Sequence, residues 1–420
     1  MNIKIQNRNL IILNLLIIFS FFLGFILQEN SAGGGLIDFN HIAYNYNLIF
    51  SNKFSEIDWN KYDSSRYPLH YFLTKIYLPL DLNIIKLNNF LISISIPIIL
   101  FYSIRKKILF NKIYNHHLLL LTLCFILYLS PYLRTSSYWM LEENFGIFFI
   151  IFSSIFFYNS FLNKGFKQYI NIVIYLLLSY FAFFCSQNLF VFIVLNFFIH
   201  IKFFWKKKII IFFIILTNFL FLFLPYLFFG DVLFQITSNV STSRLAFNLN
   251  NTIDYFSILL IYLIPIYFLS FKKEEIIIFL KKNYLKIIVL FLLYLILFWN
   301  YESHILGGGA IKKFLLLVFG ETIYYKVFFI LSSFIGIVVF FHIVKFKEKI
   351  LLLFVIPYFI FITFLDNVFQ EYLDPLFMIF LILYTNKFIQ IKTKELYFLV
   401  FYFATFLISA NIYYLLYKIV

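Results

Sequence analysis

Two side chains near the start of the chain have the types and the spacing for proton transfer. In the stretch SAGGGLIDFNHIAYNYNLIF, residues 31–50, Asp38 and His41 stand three apart and Asn45 follows four later. If 36–50 is a helix, advancing about 100° per residue, the three share one narrow stripe. Ile42 and Ile49 border that stripe, so it is not a plain solvent face. A carboxylate on a partly apolar surface loses hydration, which raises its pKa and suits it to take a hydroxyl proton near neutral pH. A loop acid beside an interfacial histidine is the plainer alternative, and these residues alone leave both open.

The elements that must hold such a pair are set by composition. Hydrophobic residues make up 63% of the 420 and charged residues 13%, with a mean hydropathy of +0.91. Charged residues alone are about a quarter of a soluble chain. The expected fold is therefore an all-α polytopic membrane protein. Apolar runs at 10–27, 86–104, 116–133, 144–161, 170–186, 189–204, 208–229, 253–271, 286–300, 325–344, 350–366, 375–390 and 396–417 give about thirteen transmembrane helices. The segment 69–80 is expected to be a short interfacial or re-entrant helix. Lys4 and Arg8 ahead of the first run imitate a signal peptide, but the run is long enough to span and is expected to be retained.

The charge of +15 does not point to nucleic acid, because Lys and Arg fall in short clusters between the apolar runs. With the N-terminus cytoplasmic, every inner loop is basic, from Arg105, Lys106 and Lys107 to Lys387, Lys392 and Lys394. Of 19 acidic residues only Glu274, Glu275, Glu348 and Glu395 then fall inside. Either the outer loops are simply solvated, or the chemistry happens on that face. Cys124 and Cys185 both lie inside apolar runs, which argues against a disulfide framework or a thiolate metal site. The longest outer loop, 28–85, is rich in aromatics and should lie on the membrane surface as short helices.

Within it, DWNKYDSSRYPLHYFL (58–73) runs from polar residues through Arg66 and Tyr67 to Pro68, which opens a helix at a position where its missing N–H costs nothing. An acid in the first outer loop, followed some thirty residues on by a Pro-Leu-aromatic helix start, resembles the GT-C superfamily, integral-membrane glycosyltransferases that use polyprenyl-phosphate sugars. The pattern is most similar to the family that adds the terminal glucose to the lipid-linked N-glycan precursor. That family's first loop carries an Asp-Glu pair, a His, a Trp-Asp and a Pro-Gly-Leu-Tyr; this chain has Asp38, His41, Trp59 and Pro68-Leu69-His70-Tyr71, and departs at Phe39. FAFFCSQNLFVF (181–192) is similar to a family turn at Gln187 and Asn188, with Ser186 where an arginine is usual. FQEYLDPLF (369–377) is similar to a late span start at Glu371 and Tyr372.

The resemblance implies Asp38 as the base, with His41, Glu142 and Glu143 in the catalytic set. Arg66, Tyr67, His70, Gln187, Asn188, Glu371 and Tyr372 would contact substrate. It also implies a GT-C-like catalytic transmembrane module over 1–230, followed by helices and donor- or acceptor-shaping loops over 231–420.

Two further stretches keep two readings each. In YLRTSSYWMLEENFGIFF (132–149), Glu142 or Glu143 could orient an acceptor or steady Arg134, or the group could be an ordinary capped span end with a weak ion pair. In ESHILGGGAIKKFLLL (302–317), three glycines ahead of Lys312 and Lys313 could hold a phosphate, or form a connector with snorkelling lysines. Arg66, Arg134 and Arg244 rival those lysines as phosphate partners, with better bidentate geometry.

The expected function is transfer of a sugar from a polyprenyl-phosphate donor to a glycan or lipid-linked acceptor on the periplasmic or luminal face, with inversion. The partners are that donor, that acceptor and membrane lipid, in a bacterial inner membrane or, in a eukaryote, the endoplasmic reticulum. A divalent cation held by carboxylates is compatible with this chemistry and required by none of it. A transporter or flippase of lipid-linked sugars, or a polymerase or ligase, is the alternative.

Overall fold

The computed structural model describes residues 3–64, 66–111, 116–241, 247–301, 307–365 and 367–416. Among these the chain is all-helical, and it divides into two compact units, residues 1–242 with 381–420, and residues 243–380.

The first unit begins with α1 (Ile3–Ile26), α2 (Gly35–Ser51), α3 (Leu69–Tyr77) and α4 (Leu82–Asn111). There follow α5 (His117–Phe125), α6 (Pro131–Tyr138), α7 (Glu143–Leu162), α8 (Phe166–Cys185), α9 (Phe190–Phe204) and α10 (Lys208–Ser241). The second unit holds α11 (Asn251–Ser270), α12 (Lys273–Leu297), α13 (Gly309–Phe319), α14 (Ile323–Phe346) and α15 (Leu351–Ile362). The chain ends with α16 (Leu376–Tyr384), α17 (Asn386–Ile389) and α18 (Thr393–Leu416).

Nine helices among the described residues are long and apolar enough to cross a membrane. The number is ten if the pair His117–Leu129 and Pro131–Tyr138, bent by 68°, counts as one span. Three of the thirteen runs read from sequence fall short. The run 286–300 lies in α12, where Lys281, Lys282 and Lys286 interrupt the apolar surface. The run 350–366 forms only the 12 residues of α15, and 375–390 breaks at Thr385 into α16 and α17. The chain thus has the helices of a multi-pass membrane protein.

In the first unit α7 lies against both α4 and α8. Small hydroxyl residues let these helices approach, and each hydroxyl is satisfied in place, as interiors away from water require. Ser179 donates to Ser153 at 3.1 Å, and Ser103 pairs with Ser154. Asn144 reaches Ser93 at 2.7 Å, and Asn89 donates to the Ser136 carbonyl at 2.8 Å. The bend between α5 and α6 follows from Pro131 at the first position of α6, with the Ser130 hydroxyl accepting from Leu133 N–H at 3.0 Å.

The loop 28–85 folds as a cap of its own. Between α2 and α3 lie two 3-10 turns, Phe54–Glu56 and Trp59–Lys61. Ile42, Tyr46, Ile49, Trp59, Tyr62 and Tyr71 form a buried cluster with Tyr132, Met140 and Leu141 from the α6–α7 region. Its glycines have distinct tasks. Gly33 and Gly34 turn the chain at φ +79° and +74°, and a side chain on Gly35 would meet Trp139 at 2.7 Å. Ser31 and Ala32 fasten this turn to α6, through Pro131 O at 3.0 Å and Thr135 Oγ1 at 2.9 Å. Lys75 closes the far end of α2 by donating to the Ile49 and Asn52 carbonyls at 2.7 Å each.

The second unit is built on α11 against α14, where a side chain on Gly336 would strike the Phe256 carbonyl at 2.3 Å. Ile253, Phe298, Tyr301, Tyr325, Phe329 and Ile330 form its buried cluster at one end.

Candidate functional site

Asp38 sits in the first turn of α2, directly behind the left-handed Gly34, and an added Cβ on Gly34 would lie 3.5 Å from its Oδ2. Its side chain keeps access to water, while protein atoms crowd the rest of its surroundings. That crowding, with the charges of Glu143 and Glu142 added, pushes its carboxyl up to about 6 from its usual 3.8, against the pull of Arg66 and His41. A carboxyl that titrates just below neutrality is ionised at pH 7 and still basic enough to accept a proton.

Glu142 and Glu143 open α7, where the helix N-terminus favours negative charge. Their side chains are only 4% and 7% exposed. Arg66 closes on both. Its Nη1 lies 3.4 Å from Glu142 Oε2, and its Nη2 pairs with Glu143 Oε1. Ser64 adds a hydroxyl to Glu142 Oε1 at 3.4 Å. The backbone of Arg66 is held on both sides: its N–H donates to Ser64 Oγ at 3.1 Å, and its carbonyl accepts from the Tyr62 hydroxyl at 2.9 Å.

His41, one turn on from Asp38, has its Nδ1 2.5 Å from Asp63 Oδ2. Asn45, fully buried, exchanges two hydrogen bonds with the backbone of Asp63, both at 3.0 Å. Asp38, His41 and Asn45 therefore share one face of α2, and His41 and Asn45 meet Asp63 from it.

His70 lies at the start of α3, fully buried among Tyr46, Tyr71 and Phe145. Burial, and secondarily the charge of Arg66, hold its pKa well below the usual 6.5, so the ring is neutral. Neither ring nitrogen has a hydrogen-bond partner among the described residues. Tyr67 packs on Phe183 and Phe184 and shares a 2.8 Å hydrogen bond with the Tyr226 hydroxyl. Gln187 and Asn188 form a half-buried 3-10 turn after α8. That turn presses on α7 one helical turn below Glu143, since a side chain on Gly146 would meet Leu189 at 2.5 Å.

An apolar groove of about 340 Å³ opens beside this cluster. Leu73, Ile76 and Tyr77 of α3, Ile92 of α4, and Phe145 and Phe149 of α7 line it. Phe145, two residues beyond Glu143, is buried, whereas Ile76 and Tyr77 stand exposed.

The chain has no match: no protein-family model, curated protein or solved structure corresponds to it.

Not every candidate joins this cluster. Arg134 is spent elsewhere. Its guanidinium bonds Glu29 through Nε at 2.9 Å and Nη2 at 2.5 Å, and reaches Ser20 and the Tyr128 carbonyl with its remaining hydrogens. It ties α6 to the end of α1, and Gly24 is the residue whose missing side chain makes room for it.

Lys312, Lys313, Glu371 and Tyr372 belong to the second unit. There Lys312 is buried against Asp254, which also accepts from the Tyr301 hydroxyl at 3.1 Å. Burial lowers the pKa of Lys312, opposed by Asp254; burial and then Lys312 bring Lys313 down to about 8. Gly307, Gly308 and Gly309 all have positive φ, yet two amides of this turn are already taken. Gly308 N–H donates to Val368 O at 2.7 Å and Ala310 N–H to Gln370 Oε1 at 2.9 Å. Glu371 and Tyr372 sit half-buried in the 3-10 turn Gln370–Tyr372. Arg244 lies outside the described residues.

Three contributors escaped sequence reasoning: Ser64, Asp63 as the partner of His41, and Glu29 as the partner of Arg134. Glu29 carried a usable signal, being the lone acid at the exit of the first apolar run. Asp63 and Ser64 carried none, because they meet α2 and α7 only through the fold of the loop.

Proposed function

We propose that this chain is a GT-C-like membrane glycosyltransferase that moves a sugar from a polyprenyl-phosphate carrier to a hydroxyl of a glycan or lipid-linked acceptor. The reaction lies on the periplasmic or luminal side. The observation that carries the reading is Asp38, its carboxyl pushed up to about 6 beside an arginine clamped by Glu142 and Glu143. In this reading Asp38 takes the proton as the acceptor oxygen attacks the anomeric carbon in line, and the phosphate departs with the bonding electrons. Neutralising Asp38 removes one negative charge as another develops on the phosphate, and Arg66, held in place by Glu142 and Glu143, meets that charge.

The groove between α3, α4 and α7 suits a hydrocarbon chain. Its polar lining residues, Asn88 and Tyr77, bond each other at 2.9 Å, so a sugar ring there would bury unpartnered hydroxyls. Among the described residues no three His, Cys, Asp or Glu side chains converge as metal ligands, and no step is assigned to a cation.

The test is transfer from a radiolabelled polyprenyl-phosphate hexose in membranes carrying the wild type or Asp38→Asn. A folded Asp38→Asn protein with undiminished transfer would remove the assignment. A carboxyl titrating near 6 above buried acids also fits a proton-coupled carrier of lipid-linked sugars. Labelled lipid crossing sealed vesicles, with no transfer product, would establish that reading instead.

A further inference from the structure

We infer that Asp63 is a positioning residue, which fixes His41 as the second station for the proton that Asp38 removes. The inference rests on the reading of Asp38 as the base.

Asp63 is set by a clasp rather than by chance contact. Its N–H donates to Asn45 Oδ1 and its carbonyl accepts from Asn45 Nδ2, each at 3.0 Å. Asn45 is fully buried, with Nδ2 also 3.4 Å from the Tyr71 hydroxyl, and stands one turn beyond His41 on the same helix. The amide therefore holds the Asp63 backbone in register with α2 and delivers its carboxylate to His41 Nδ1 at 2.5 Å. The next residue, Ser64, touches Glu142, so one short segment serves both the histidine and the acid pair.

The His41 and Asp63 side chains are 53% and 59% exposed. A contact so open to water contributes little stability. Its geometry is nonetheless prescribed from beneath by a buried side chain, which a casual surface contact does not require.

A carboxylate on Nδ1 selects the tautomer with hydrogen on Nδ1 and a lone pair on Nε2. The acceptor hydroxyl gives its proton to Asp38 as its oxygen bonds to the anomeric carbon, and the bond from that carbon to the phosphate oxygen breaks toward phosphate. Asp38 then passes the proton to His41 Nε2, the imidazolium is held by Asp63, and water carries the proton away. Asp38 returns to its ionised form.

The test combines ¹⁵N-histidine spectra of the full chain in lipid nanodiscs, with His41→Gln assigning the signal, and turnover of a polyprenyl-phosphate hexose. The wild type is expected to show the Nδ1–H tautomer. Asp63→Asn, which keeps the shape but offers an amide hydrogen to Nδ1, is expected to shift it to Nε2–H and to lower kcat at least ~10-fold with little change in KM. Asp63→Glu is expected to restore part of both. An unchanged tautomer in a folded Asp63→Asn protein would overturn the inference, and so would a changed tautomer with wild-type kcat. The spectra need no activity, so failure of the underlying reading shows separately, as full turnover in Asp38→Asn.

Discussion

Arg66 Nη1 stands 3.4 Å from Glu142 Oε2, joining a residue of the first loop to the head of α7 across 76 positions of chain. The same guanidinium pairs with Glu143, so a single cation answers for two nearly buried carboxylates. Removing it takes that cation from both. Arg66→Leu is expected to destabilise the protein by about 3 kcal/mol or more, the usual result of leaving a buried charge unpaired. Unfolding in mild detergent would measure this. Adding Glu143→Gln to Arg66→Leu should recover part of the loss, because one stranded charge has gone.

Turnover should respond to pH through Asp38, and stability through both Asp38 and His70. If Asp38 is the base, turnover rises with pH and levels off above about 6. Its effect on stability has the opposite slope. The folded protein holds this proton more tightly than the unfolded chain, so the contribution is full below 3.8 and is lost as pH rises through about 6. His70 behaves in reverse, because burial lowers its pKa. Its contribution is present above the ordinary 6.5 and is lost as pH falls below it. Melting temperatures between about pH 4 and 8 should lose the first trend in Asp38→Asn and the second in His70→Phe.

Arg134 should prove structural. It donates to Glu29, Ser20 and the Tyr128 carbonyl, and its guanidinium carbon sits 5.7 Å from the ring centres of Phe21 and Tyr138. Arg134→Ala is expected to cost about 3–5 kcal/mol of stability. In whatever fraction stays folded, the pH at which turnover levels off should not move. Gly24→Val should destabilise for the same reason, since its side chain would press within 2.6 Å of both Arg134 Nη2 and Glu29 Oε2.

The groove makes a kinetic prediction. Ile92→Trp would intrude on the groove from the α4 side with a bulkier ring. The expected result is a several-fold higher KM for a polyprenyl-phosphate donor at nearly constant kcat. A short-chain, water-soluble analogue should be affected far less. Equal effects on both donors would show that the chain lies elsewhere.

Several features were legible before any fold was known. Periodicity placed Asp38, His41 and Asn45 on one stripe, and α2 carries them so. Pro68 marked the start of α3. Apolar run length found the long apolar helices; in α12 lysines interrupt the apolar surface, and at Thr385 a break divides the run into α16 and α17. Run length reports hydrophobicity, whereas crossing a bilayer also needs an unbroken helix.

By itself, then, the sequence determined the class of molecule and the types of its polar groups, since burial of apolar runs and helical spacing are local rules. Partnership was decided only by tertiary structure. Arg134 and Arg66 are both arginines in stretches with nearby acids, and nothing local says that one meets Glu29 while the other clamps Glu142 and Glu143. Nor does any spacing rule bring Asp63 to His41, 22 residues away. Those pairings depend on how the loop between α1 and α4 packs against α6 and α7, because only that packing brings together groups far apart in sequence.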